Sequence, residues 1–147
     1  MKTFVESRSI ALDSAQKIVE HALTSAHQQG LEVCVAVVDR AGHLLSYVRM
    51  DRAPLLCGQL AQDKAYTVAA FGLASHEWWN MIRDEPALLH GVIKTDRLIV
   101  YGGGAPITHD GEVIGAVGVS GGSADQDRII AEGASLSLAE LPQPTAP

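Results

Sequence analysis

Cysteine, aromatic residues and positive charge are all scarce in this chain, and each scarcity excludes something. There are two cysteines among 147 residues, Cys34 in a strand-like run and Cys57 on a helical one, and neither has a CxxC partner. They read as buried thiols acting as small hydrophobes. Eleven Lys and Arg against seventeen Asp and Glu leave a formal charge of −6, so no basic surface exists to neutralise nucleic-acid phosphates. No apolar run approaches the length of a membrane span. The opening MKTFVESRSI has no apolar signal core, so a cytoplasmic location is expected. The six histidines stand singly, and His76-Glu77 continues as Trp-Trp-Asn rather than completing HExxH. No metal site is expected.

Apolar residues make up 47 % of the chain and glycine is frequent, as in a globular domain with a proper core. Ala11–Gln29 has one apolar stripe at helical spacing, with Ser9 as a cap and Gly30 as a stop. Val33–Asp39 is nearly all apolar, the mark of an interior strand, and turns back into His43–Met50. Pro54–Phe71 is a second long helix, followed by short helices at Ser75–Arg83 and Ala87–Ile93.

The chain is organised around residues 97–126. Arg97–Tyr101 reads as a short strand, and Gly102-Gly103-Gly104 permits a sharp turn. Ala105–His109 pairs with Glu112–Val119 across Asp110-Gly111, a type I′ hairpin signal. Ser120-Gly121-Gly122 then leads to Ser123, which with Gln126 forms a capping box for helix Ala124–Leu138. The expected fold is α+β: a five-stranded antiparallel sheet with helices on one face, a profilin-like or PAS-like sandwich. Residues 1–141 form one domain and 142–147 a disordered proline-rich tail.

Three features admit two readings each. The triple Gly and Ser120-Gly121-Gly122 either serve turns alone or offer backbone N–H groups to an anionic ligand. Lys64 interrupts the apolar side of its helix, with Asp63 pointing the opposite way. Its stem either snorkels to the surface or carries the ammonium into a pocket. In the second reading Arg49 shares that pocket as a carboxylate anchor and Lys64 is the acid/base. His21 and His27 flank the stripe of the first helix, as solvated residues or as ligands. Gly118-Val119-Ser120-Gly121-Gly122 matches the letters of a GxSxG elbow, but no parallel framework or His-Asp pair accompanies it.

VAVVDRAGHLLSYVRMD, the Lys64 helix AQDKAYTVAAFG and GGGAPITHDGEVIGAVGVSGGSADQD together resemble the GlcG/HbpS family, which includes the C-terminal domain of PduO-type proteins. The likeness runs from about Ser9 to about Leu138. It implies an α+β fold, homo-oligomers from dimer to octamer, and haem as cofactor, with His21 or His27 matching the N-terminal axial histidine. Without CxxCH the haem would not be covalently attached. Other members imply a different role, a catabolic lyase or isomerase on an aromatic or short-chain acid, for example an arylhydroxylamine lyase. For that role the glycines 102–104, Ser120, Gly121 and Gly122 would bind the ligand beside Lys64 and Arg49. A third possibility is a pure assembly protein.

Adjacent Trp78 and Trp79 cannot share one helix face, so one is left for a partner surface. The chain should therefore form at least a dimer with one of these rings in or beside the contact. Light scattering at micromolar concentration should return at least twice the 15.6 kDa monomer mass.

Overall fold

The computed structural model describes residues 1–140; the expected tail, 142–147, lies outside the described residues. Five helices and four strands follow one another as α1 (Leu12–Gln28), β1 (Cys34–Asp39), β2 (Leu44–Arg49), α2 (Leu55–Phe71), α3 (Glu77–Ile82), α4 (Pro86–Val92), β3 (Gly104–His109), β4 (Glu112–Ser120) and α5 (Ala124–Leu136), with a final 3-10 turn at Ser137–Glu140. The sheet has the order β2-β1-β4-β3, every pair antiparallel. The interior position expected for the first strand is observed, since β1 pairs with β2 on one side and β4 on the other.

The sheet has four strands, not five. The fifth was expected at Arg97–Tyr101, and two observations explain its absence. Arg97 sits at φ 63°, a left-handed conformation that breaks an extended run. Beside it the Thr67 hydroxyl of α2 donates to Arg97 O and accepts from Ile99 N, both at 2.9 Å. A side chain thus satisfies the backbone groups that a strand partner would have taken.

Helices cover both faces rather than one. Val35, Val37, Val117 and Val119 pack with Ile18, Ala22 and Ile130 of α1 and α5. Their sequence neighbours Val38 and Ala116 point the other way, against Ala65, Val68 and Ala69 of α2. Side chains alternate along a strand, so a strand buried on both faces reads as a continuous apolar run. The α2 face is almost bare of side chains. A Cβ built on Gly118 would overlap the Ala61 carbonyl oxygen and lie 2.7 Å from Ala65 N, and one on Gly104 would lie 2.7 Å from Lys64 O. Helix backbone therefore rests nearly on strand backbone.

Local signals fare as follows. Asp110 and Gly111 have φ 51° and 77°, as a type I′ turn requires. Ser123 and Gln126 form the reciprocal capping box, and Gly30 ends α1 at φ 67°. Ser9 does not cap α1; its hydroxyl accepts from Arg40 N at 3.1 Å, and Ala11 occupies the cap position. Trp78 is buried and meets Phe71 edge-on at 4.7 Å, whereas Trp79 is exposed. No helix among the described residues is long and apolar enough to cross a membrane.

Gly118→Ala should destabilise the chain by about 3 kcal/mol, the upper range for overpacking a close-packed site. The methyl would meet helix backbone, which cannot rotate away. Urea unfolding measures this, and an unchanged midpoint would mean that α2 can lift from the sheet.

Candidate functional site

Lys64 enters the molecule rather than leaving it. Its side chain is 1 % exposed and runs beneath the 102–104 turn, where a Cβ on Gly103 would stand 2.6 Å from Nζ. Nζ donates to Val119 O at 2.8 Å and to Asp127 Oδ2 at 2.9 Å. The other carboxylate oxygen of Asp127 accepts from Gly122 N at 2.8 Å. Tyr101 closes the remaining side, its ring centroid 5.2 Å from the ammonium. Burial pulls the Lys64 pKa below its ordinary value, and the charge and hydrogen bond of Asp127 push it back. Burial raises Tyr101, with the Asp127 charge adding to it.

The chain thus supplies its own anion to Lys64. The turn amides are partly committed as well: Gly104 N donates to Ser75 Oγ at 2.8 Å, and Ser75 N returns a bond to Gly104 O. Ser120 is buried at the end of β4, opposite Cys34. Gly121 has φ 152° and abuts the Glu32 carbonyl, so a side chain there would collide with it. Gly102 is packed in the same manner against the start of α5 at Ala124 and Arg128. Lys64, Gly103, Gly104 and Gly122 are therefore brought together. Arg49 is not among them. It lies opposite Cys34 on β2, and its Nη1 donates to Asp51 O and Ala53 O, both at 3.3 Å.

Sequence reasoning missed Asp127. An acidic residue just after a helix cap ordinarily complements the helix dipole, so nothing marked it as a buried ion-pair partner.

His21 and His27 both lie on the exposed side of α1, but in different surroundings. The His21 ring faces α5, with its Cε1 3.9 Å from where Gly133 would carry a Cβ. Ile129 and Leu136, one turn to either side of Gly133 on the same helical face, are 60 % and 73 % exposed. An imidazole thus stands beside an apolar platform open to solvent. His27 occupies the last turn of α1, with Gly30 N bonded to its carbonyl. Among the described residues no group of three or more His, Cys, Asp or Glu could hold a metal ion.

The family model described as haem-degrading, HbpS-like, matches residues 10–135. The chain belongs to this family. It is 36 % identical over 135 residues to a 15.0 kDa protein from the dhaT-dhaS intergenic region of Citrobacter freundii, covering 90 % of this chain and 94 % of that one. The crystal structure of Klebsiella pneumoniae protein ORFY superposes with a TM-score of 0.91 at 30 % identity, covering 97 % of this chain and 99 % of that one. A PduOC–haem complex superposes with a TM-score of 0.80 at 31 % identity, covering 88 % of this HbpS-like chain and 94 % of its counterpart.

Read from sequence, Lys64→Met should fold normally, because it keeps length and packing. The pair with Asp127 revises that expectation. Removing one partner strands a buried charge, at a cost of about 3–5 kcal/mol. Lys64→Met should lower stability by that amount, and adding Asp127→Asn should recover part of it. A double-mutant cycle by urea unfolding checks this; additive losses would mean that the two charges do not interact.

Proposed function

We propose that this HbpS-like chain binds haem on the α1–α5 face, with His21 as the axial ligand. The observation that carries the reading is the His21 ring beside Gly133, between exposed Ile129 and Leu136. Haem takes an axial donor such as an imidazole nitrogen and a flat apolar support, and this face offers both. Gly133 keeps the ring uncovered, while a longer side chain would fill the space in front of Cε1. Lys17, one turn before His21 on the same helical face, would offer a cation to a haem propionate. It already pairs with Glu20 at 3.0 Å, and such an exposed pair exchanges at little cost. Family membership and the likeness to the PduOC–haem complex support the same reading.

Bound haem would supply an iron able to exchange a ligand or change oxidation state. The chain's own part is to present the imidazole, shield one haem face and anchor one edge. An assembly of copies, expected from the sequence, would give this one-sided platform a second wall. The alternative reading, a lyase using Lys64 as acid/base and Arg49 as anchor, draws no comparable support, because each side chain is engaged within the chain.

Haemin titration should give a Soret band that survives gel filtration. His21→Ala should weaken binding about tenfold or more, equivalent to ~1.4 kcal/mol, and His27→Ala should leave it unchanged. An unaltered band in His21→Ala would refute the assignment.

A further inference from the structure

A cleft of about 210 Å³ lies on the outer side of α2, away from the sheet and from the α1–α5 face. Tyr66, Ala70 and Phe71 form its helical side, and Asp96, Arg97 and Leu98 the other. We propose that this cleft binds a single-ring aromatic monocarboxylate, with Arg97 as its anchor.

Arg97 is over-determined in a way that ordinary surface arginines are not. Its backbone is held at φ 63°, a strained conformation outside glycine that persists only where neighbours impose it. Here the neighbours are explicit. The Thr67 hydroxyl fixes Arg97 O, Asp63 takes Nε at 2.8 Å, and the guanidinium lies 3.8 Å over the Tyr66 ring. Asp63 is itself steadied by Gln59 at 2.8 Å. With Nε committed and one face stacked, the two Nη groups have no acceptor among the described residues. What remains is a planar, pre-oriented pair of donors, the geometry that receives a carboxylate through two parallel bonds.

The other walls choose the rest of the ligand. Phe71 is held edge-on by Trp78 at 4.7 Å, and Leu98 and Ala70 add aliphatic surface. The volume of about 210 Å³ exceeds the roughly 150 Å³ that accepts a benzene ring. The charges choose the anion. Asp63 already offsets Arg97, and exposed Asp96 sits in the wall. A doubly charged phosphate is repelled by these two carboxylates, whereas a monocarboxylate loses less. Binding should accordingly be weak, and Asp96→Asn should strengthen it.

Benzoate is the probe, followed by calorimetry and saturation-transfer NMR on the full chain. Parent protein should bind benzoate and should bind benzyl alcohol, of similar shape but uncharged, about tenfold less well or worse. Arg97→Asn keeps a residue that tolerates the left-handed backbone and removes the guanidinium; it should cost about tenfold or more. Ala70→Leu fills the cleft without touching Arg97 and should abolish binding even if the Asn variant folds poorly. Asp96→Asn should tighten binding severalfold. No benzoate binding by the parent, equal affinity for benzyl alcohol, or full affinity in Ala70→Leu would each overturn the proposal. Haemin binding should be unaffected in all three variants, since the α1–α5 face lies elsewhere.

Discussion

Everything else in this fold depends on α2 lying almost in van der Waals contact with the backbone of β3 and β4. That approach exists because Gly104 and Gly118 have no side chains and their neighbours on this face, Ala36 and Ala116, have the smallest ones. On the opposite face β1 and β4 carry valines, whose side chains stand between the sheet and helices α1 and α5. The two layers of the molecule therefore differ in thickness. The thin one has no space for a buried ligand between helix and sheet, and the exposed surfaces of α1, α5 and α2 carry the features that can meet one.

The close approach also explains why a lysine is tolerated in the interior. With the helix so near the sheet, a long side chain from α2 reaches past the end of β4 and meets Asp127 at the start of α5. The pair thus ties together two helices on opposite faces of the sheet. A buried ion pair is a poor source of net stability, since desolvation takes back most of the attraction. Its value here is positional. Asp127 orients the Gly122 amide, Lys64 holds the Val119 carbonyl, and Gly103 must stay bare to admit the ammonium. Gly103 is thereby accounted for as room for the Lys64 side chain, whereas Gly102, Gly104 and Gly121 are bare because backbone of α5, α2 and residue 32 lies against them.

Local grammar was legible without coordinates. The hairpin at Asp110-Gly111, the box at Ser123 and Gln126, the stop at Gly30 and the interior placement of β1 all follow from short-range rules, and all are observed. So is the family, whose model matches residues 10–135. Most of the misses share one physical origin, a partner distant in sequence; Arg49, held by the nearby carbonyls of Asp51 and Ala53, is the exception. Arg97–Tyr101 has strand-like composition, but Thr67 takes its backbone bonds. Asp63, opposite Lys64 on its helix, reads as a solvated residue, yet it is largely buried and pairs with Arg97. Of the two readings open for Lys64, a stem snorkelling outward and an ammonium carried inward, the structure has the side chain buried. Its counter-ion, an ordinary first-turn aspartate, gives no signal in the sequence. The contrast between His21 and His27 was equally invisible, because it is created by Gly133 on another helix.

The strand order has a kinetic side. β1–β2 and β3–β4 are hairpins that close over short loops, whereas the central pairing joins residues 34–39 to residues 115–120 with most of the chain between them. The middle of this sheet is thus its least local part, and loop closure must precede any gain from it. Helix α2 rests on both halves of that seam, on Ala36 of β1 and Gly118 of β4. Its docking surface is complete only after the two hairpins have met. The buried pair of Lys64 and Asp127 likewise joins residues 63 positions apart, so the charges find each other only through long-range contacts.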